Sequence, residues 1–589
     1  MTGATVTESE APEGGRNRRR QVVYVAVALV IFVWSFLYRY NDPEGSVAGL
    51  HDDHYFYLAR GWQMLFGDLP DRDFVDPGAP LTFAIEAAVQ WLLGRGVWSE
   101  MLFCVTALSA ASVLTFIAAR MVSGSIVIAA TAAFMQVALQ PRLYNYPKVL
   151  VYAVAIPVIW RFMDRPTWRR RLVLAVVTAI AFLLRHDHGA FVGLTTLLAI
   201  VMLSGETMRD RMRHALIYGL LVVALLSPYL AYLQVHGGVV AHAVAANSWA
   251  QRDRARAPLV LPYFSASPRP GDDPPPDEPD WWQSGIFVQA TRNFEPWLFW
   301  LAAALPLGVL ALVSVSAGGR GQWPHARRKI ALLALLGMVL VAGFLRGRLS
   351  SRFGDVSVTT ALLLAVVMRA AWTMMWEGRM DRGGRFIGMP SAVRAVTALV
   401  AVGVVGGTLF VIFPSFWNRL DLAAMTERPL GAIDRVSVIT RRTTTWPLES
   451  WTSPDTSGPI QLAFYLRDCT APDDRVFIAL YMPEVSVLAQ RPFAGGHGDL
   501  RPSFFTSAAD QRLTIARLEH ERVPVAIMPG GEDYEGFRKD FPRINAYFAL
   551  RYRVVGDFKL GARDLVRLLV NRDIPSTGEY RLHRWPCFR

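Results

Sequence analysis

The sequence predicts a polytopic α-helical membrane protein of about eleven transmembrane helices, followed by a C-terminal α/β domain on the exoplasmic side. Two observations carry this reading. Apolar runs that approach the roughly 20 residues needed to cross a bilayer recur along the first 415 positions. Arginine clusters sit in alternate connections between those runs, which fixes an orientation. A chain of 589 residues that is 52% hydrophobic, with a mean hydropathy of +0.27, has far more apolar sequence than a soluble fold needs.

The candidate spans lie near 21–39, 99–119, 123–140, 149–163, 172–184, 190–204, 214–233, 297–317, 330–345, 357–375 and 395–415. The first follows Arg16, Arg18, Arg19 and Arg20, the pattern of a secretory signal, and Ser46-Val47-Ala48 offers a cleavage site. Its apolar run exceeds a usual signal core, and the cleavage site lies several polar residues beyond it, so the run reads as a retained anchor. With the N-terminus inside, connections bearing Arg165, Arg169, Arg170 and Arg171, then Arg209, Arg211 and Arg213, then Arg327, Arg328 and Lys329, then Arg379, Arg382 and Arg385 all fall inside. The formal charge of +13 is therefore mostly topological and is no sign of nucleic-acid binding.

This layout gives a cytoplasmic tail over 1–20, a transmembrane domain over 21–415 and an exoplasmic domain over 416–589. Two further exoplasmic regions, 40–98 and 234–296, are too long to be simple connectors. The second contains the acidic, proline-rich stretch Pro268 to Pro279, which reads as mobile. In the tail, Arg475 to Leu480 and Val523 to Met528 fit buried strands, and Ala508 to Glu521 has helical spacing. Of three cysteines, Cys104 sits in an apolar span, whereas Cys469 and Cys587 both fall in the tail; they form either a disulfide or two separate buried thiols.

The first outside region holds the most informative run: His51-Asp52-Asp53-His54-Tyr55-Phe56-Tyr57-Leu58-Ala59-Arg60, then Gly67-Asp68-Leu69-Pro70-Asp71-Arg72-Asp73-Phe74, then Asp76-Pro77-Gly78-Ala79-Pro80-Leu81. Adjacent carboxylates just past a span can supply a general base, although acidic pairs in loops are most often simply solvated. The order of these elements resembles the first exoplasmic loop of the GT-C superfamily of glycosyltransferases, which includes protein O-mannosyltransferases and lipid A aminoarabinose transferases. There an acidic pair, an amphipathic helix, a Gly-x-x-Pro-x-x-Asp-Phe-like stretch and a helix-opening Pro-Leu follow one another. In the tail, Thr470-Ala471-Pro472-Asp473-Asp474-Arg475-Val476-Phe477 and Gln490-Arg491-Pro492-Phe493-Ala494-Gly495-Gly496 look like the soluble domain of many bacterial members. The resemblance implies that one carboxylate, Asp52 by preference, is the catalytic base with Asp53 beside it, the order of the two roles being open. It also implies a polyprenyl-phosphate sugar as donor, which agrees with topology, since nucleotide sugars are made in the cytoplasm.

A departing phosphate needs cations, and outside regions should be poor in them. Arg142, Lys148, Arg185, Arg346, Arg348 and Arg352 are therefore candidate phosphate ligands. Lys148 stands out because the chain has only four lysines. Snorkelling to lipid headgroups is the plain alternative for each. Arg185-His186-Asp187-His188 lies at one membrane edge and Arg352-Phe353-Gly354-Asp355 at another, both on the same side; His186, Asp187 and His188 with Asp52 or Asp53 are candidates for a divalent metal, Mg or Mn, against ordinary loop hydrogen bonding. Asp73 joins the substrate-binding candidates. Tyr144, Tyr146, Trp281 and Trp282 either stack on a sugar or belong to the interfacial aromatic belt.

The sequence thus points to an inverting hexosyl or pentosyl transferase that moves a sugar from a polyprenyl phosphate to an acceptor hydroxyl on a glycan, lipid or protein. A transporter or lipid flippase is the rival from another class, but charges gather at membrane edges and no inverted repeat is visible. A non-catalytic glycolipid-binding envelope protein is the other. Arginine far in excess of lysine hints at a GC-rich bacterial genome, hence a bacterial inner membrane.

Overall fold

The computed structural model describes residues 13–40, 52–139, 142–203, 206–256, 261–264, 292–315, 325–344, 352–375, 391–420, 431–444, 457–498, 500–560, 564–581 and 583–589. The apolar runs fold into α1 (Glu13–Tyr40), α4 (Val97–Ser123), α5 (Ile126–Ala138), α6 (Tyr146–Asp164), α7 (Trp168–Leu184), α8 (His186–Val201), α9 (Met208–Val235), α11 (Phe294–Val315), α12 (His325–Phe344), α13 (Phe353–Met375) and α14 (Ser391–Leu420). Among the described residues, six segments are long and apolar enough to cross a membrane: Gln21–Tyr40, Val97–Ser123, Leu143–Asp164, Met208–Val235, Phe294–Ser314 and Phe353–Thr373. The expected run at 123–140 is shorter than the sequence suggests. Gly124, with φ +67°, ends α4, and Ser125 caps α5 by accepting from the Ile128 amide. At 13 residues, α5 is about 20 Å long, short of the bilayer core.

The outside region contributes α2 (Asp52–Leu65) and α3 (Pro80–Leu93), and the second long region contributes α10 (Val239–Arg256). Proline opens α3 in its first turn, where a missing N–H costs nothing. The bundle's core centres on α4, which packs against α1, α5 and α6, and on α13, which packs against α4, α5, α11 and α12. Three of the arginine-bearing connections meet at one end, the fourth lying outside the described residues: Lys329 reaches Asp164 at 2.6 Å, Arg328 donates to the Met202 carbonyl at 3.0 Å, and Arg211 donates to the Leu203 carbonyl at 2.7 Å.

After α15 (Gly431–Thr444), the tail forms α16 (Ser457–Cys469), β1 (Val476–Ile478), α17 (Pro483–Ala489), α18 (Ala508–His520), β2 (Val525–Pro529), α19 (Gly531–Asp540), α20 (Pro542–Arg551), β3 (Tyr552–Leu560) and β4 (Asp564–Asn571), with the short pair β5 (Gly578–Glu579) and β6 (Pro586–Cys587). The sheet runs β1-β2-β4-β3, with β1 parallel to β2 and the remaining pairs antiparallel. Cys469 and Cys587 are joined in a disulfide.

Alternation along β2 sends Val525 and Ile527 to one face and Ala526 and Met528 to the other. The second face packs on α18 and α20. The first shares an apolar core with α2 and α3, where Trp62, Phe74 and Phe83 join Tyr465, Val485 and Phe493. Polar groups fix the register of this joint. The Gln63 amide donates to the Phe493 carbonyl (3.1 Å) and accepts from its N–H (3.0 Å), and Arg475 grips Asp68 through two nitrogens at 2.6 and 3.0 Å. Gly496 passes so close to the Asp73 carbonyl that a Cβ would lie 2.7 Å from it, and its own carbonyl accepts from Val75. Trp249 of α10 also meets Phe504 and Phe505, so all three long regions share one side of the bundle.

His497 lies buried at this joint, with Nε2 3.0 Å from the Thr514 hydroxyl and its ring against Phe505. Burial, with Arg517 and Arg60 adding to it, lowers its pKa to about 3. The unfolded chain then binds the proton more readily between about 3 and 6.5, so stability falls as pH drops through that window. Lowering pH from 6.5 to 5 should cost the wild type about 2 kcal/mol more than His497→Gln, read from denaturant midpoints of the full chain. Equal pH dependence in the two proteins would refute this.

Candidate functional site

Helix α2 begins at the acidic pair, so both residues belong to its first turn, where the helix dipole favours negative charge. Asp53 is partly exposed, and its Oδ1 accepts a 2.5 Å hydrogen bond from the hydroxyl of Tyr481, 428 residues away in the loop after β1. The hydroxyl of Tyr144, in the 3₁₀ turn Leu143–Asn145 that leads into α6, faces the same carboxylate, and Arg142 donates to that hydroxyl at 3.4 Å. Arg501 lies 3.6 Å over the Tyr481 ring. Bundle, first loop and tail therefore meet at Asp53.

Tyr57, one turn along α2, continues the network. Its ring stacks on Tyr144 at 6.4 Å, and its hydroxyl lies within electrostatic reach of Arg185, Asp53 and Asp187. Burial raises its pKa, so it stays a proton donor at neutral pH. Beyond it runs a chain of paired charges. Arg185, between α7 and α8, forks onto both oxygens of Asp187 at 3.2 and 3.1 Å. His188 Nδ1 meets the Tyr152 hydroxyl at 2.6 Å, and its Nε2 stands 3.8 Å from Asp187 and 3.9 Å from Asp355. Lys148 is buried and reaches Asp355 at 2.8 Å. Gly354 permits this pairing: a Cβ there would lie 2.9 Å from Asn145, so α13 could not come so near the 3₁₀ turn.

Asp53, Tyr144, Lys148, Arg185 and Asp187 are thus brought together. Tyr146 is not among them: it turns into the bundle against Phe103, towards Glu86, Glu100 and Cys104. Asp73 lies on the loop surface, held by Arg72 and the Leu69 amide. His186 turns the other way, stacked on Phe182 at 4.4 Å with Nε2 3.2 Å from the Tyr229 hydroxyl. Arg352 is half-buried at the start of α13. Arg346, Arg348, Trp281 and Trp282 lie outside the described residues, as does the side chain of Asp52. Sequence reasoning missed Tyr57 and Tyr481. Tyr57 stood in the quoted run, but nothing local marks the loop after β1 as a partner for Asp53.

Two clusters of titratable groups lie near the site. His186, Asp187 and His188 face different partners, but Asp71, Asp76 and His242 gather beside His186. His242 Nδ1 pairs with Asp71 at 2.9 Å, while Asp71 Oδ2, Asp76 Oδ2 and His242 Nε2 are buried without a hydrogen-bond partner. Burial and the Asp71 charge push Asp76 up to about 6. The second group, Glu86, Glu100 and Cys104, lies inside the bundle, with its ligand atoms within 4.8 Å of one another.

Removing one partner of a buried ion pair leaves a bare charge. Asp355→Asn should lower stability by about 3–5 kcal/mol, and the double variant Lys148→Met, Asp355→Leu should recover most of it, measured by thermal unfolding in detergent. A single variant as stable as the wild type would show that the pair carries no buried charge.

No family model matches the chain, and no curated protein matches it. A solved structure, that of ArnT from Cupriavidus metallidurans bound to undecaprenyl phosphate, is similar to it over 93% of this chain and 97% of that one, at 13% sequence identity and a TM-score of 0.47.

Proposed function

We propose that the chain is an inverting glycosyltransferase that moves a hexosyl or pentosyl unit from a polyprenyl-phosphate donor to an acceptor hydroxyl at the exoplasmic face of a bacterial inner membrane. The observation that carries this reading is the position of Asp53 and its α2 neighbour Asp52. Asp53 stands where bundle, first loop and tail converge, in one network with the buried Lys148 and the half-buried Arg185. The first turn of a helix favours negative charge, and cations held away from water favour the charge of a departing phosphate. The resemblance of the first loop to GT-C enzymes selects this chemistry among those an acidic pair can perform.

In this mechanism Asp52 takes the proton of the acceptor hydroxyl, whose oxygen attacks the anomeric carbon from the face opposite the phosphate. The C–O bond to the phosphate breaks, and the configuration inverts. Asp53, fixed by Tyr481, keeps the pair aligned. Lys148 and Arg185 exchange part of their hold on Asp355 and Asp187 for phosphate oxygens. The isoprenoid chain has a fitting surface in an apolar groove of about 620 Å³ between α11, α13 and α14, lined by Trp297, Trp300, Leu305, Val367 and Val404.

Transfer of radiolabelled sugar from a panel of polyprenyl-phosphate donors to membrane-extracted acceptors tests the reading. Asp52→Asn should reduce transfer about 10²- to 10⁴-fold while the protein stays folded. Full activity in the double variant Asp52→Asn, Asp53→Asn would remove the acidic pair from the mechanism.

A further inference from the structure

Behind the acidic pair, facing away from it, lies a second polar cluster sealed in the bundle. Glu86 on α3 and Glu100 on α4 are each 1% exposed, and Cys104, four residues along α4 from Glu100 and so on the same face, is wholly buried. The Oε2 atoms of both glutamates have no hydrogen-bond partner. His54 holds the other Glu100 oxygen through Nδ1 at 2.9 Å. A third helix contributes Tyr146, whose buried hydroxyl also has no partner and lies within electrostatic reach of Glu86, Glu100 and Cys104. Around them stand Met101, Phe103, Val105 and Leu108.

Two buried carboxyl groups with one imidazole nearby are not a stable arrangement as two anions, since each uncompensated charge costs several kcal/mol. The strain is relieved by a shared proton or by a cation. The donor set chooses between them. A thiol within 4.8 Å of both carboxylate oxygens has no role in a carboxyl pair sharing a proton, whereas a sulfur with carboxylate and imidazole neighbours is a set that suits zinc and disfavours Mg or Ca. A carboxylate ligand that is itself hydrogen-bonded by a histidine is the usual second layer of such a site.

We propose that Glu86, Glu100 and Cys104 bind a zinc ion, with the Tyr146 hydroxyl or a water in the fourth position and His54 orienting Glu100. The ion ties α3 to α4 beneath α2. Because His54 is the residue after Asp53, the site also fixes the rotation of the helix that presents the acidic pair. The inference stands apart from the glycosyltransferase reading, since nothing in it depends on the reaction.

The test exploits the cysteine count. Of the three cysteines, Cys469 and Cys587 are bonded to each other, so Cys104 is the sole thiol. Full-length protein purified in detergent, stripped by chelator and reloaded with Co²⁺ should take up the ion and show a thiolate-to-cobalt charge-transfer band in the near-ultraviolet. That band should be lost in Cys104→Ser and Glu86→Gln and kept in the double variant Asp76→Asn, His242→Gln, which disables the other carboxylate cluster. Zinc measured in protein as isolated should follow the same pattern. Cobalt uptake without the band, or no uptake by the wild type, would overturn the proposal and leave the two glutamates sharing a proton. Because the band is read on the wild type, a misfolded variant does not spare the proposal.

Discussion

The docking of the tail's sheet against α2 and α3 governs where everything else can stand. A small mixed sheet must cover both faces, and here both carry helices of the tail; on one of them α16 and α17 share their apolar core with a loop that begins some 400 residues earlier. Apolar burial supplies the drive, but it is non-directional. Register comes from Gln63 pairing with the Phe493 backbone and from the Asp68–Arg475 fork, which have one geometry each. Once those are made, the loop after β1 has to lie over the start of α2, and Tyr481 meets Asp53.

The electrostatics of the site follow from depth. Two ion pairs stand near the acidic pair among the described residues: the buried Lys148 with Asp355, and the half-buried Arg185 with Asp187. In a medium of low polarity such pairs hold only when geometry is good and remaining donors are used. An anionic ligand entering this network meets cations already desolvated and oriented, and it competes with carboxylates rather than with water. The aromatic residues Tyr57, Tyr144 and Tyr152 link the segments of the network through hydroxyls and ring contacts.

Some tail residues that look functional in the sequence prove to be structural. Arg491 is buried and donates to the carbonyls of Arg467, Thr470, Ala489 and Gln490, satisfying the open ends of α16 and α17. Asp474 accepts from the Ala471 amide and pairs with Arg522, closing the turn into β1. Both are polar residues at fixed spacing, which is how a site and a turn look alike in one dimension.

The sequence by itself determined the helices, because hydrophobic runs and their flanking arginines are local: each expected apolar run falls on a helix, and the strands at β1 and β2 with helix α18 lie where short apolar runs and helical spacing put them. It also marked the acidic pair, which sits at the first residues of α2. What only the tertiary structure decided are the contacts between distant segments. Tyr481 on Asp53, Asp355 on Lys148, and Glu86 beside Glu100 and Cys104 each join helices or loops whose individual patterns say nothing of one another. A side chain's period along its own helix reveals which way it faces. Its partner is set by how helices pack, and that depends on small clearances such as those at Gly354 and Gly496, which no local pattern encodes.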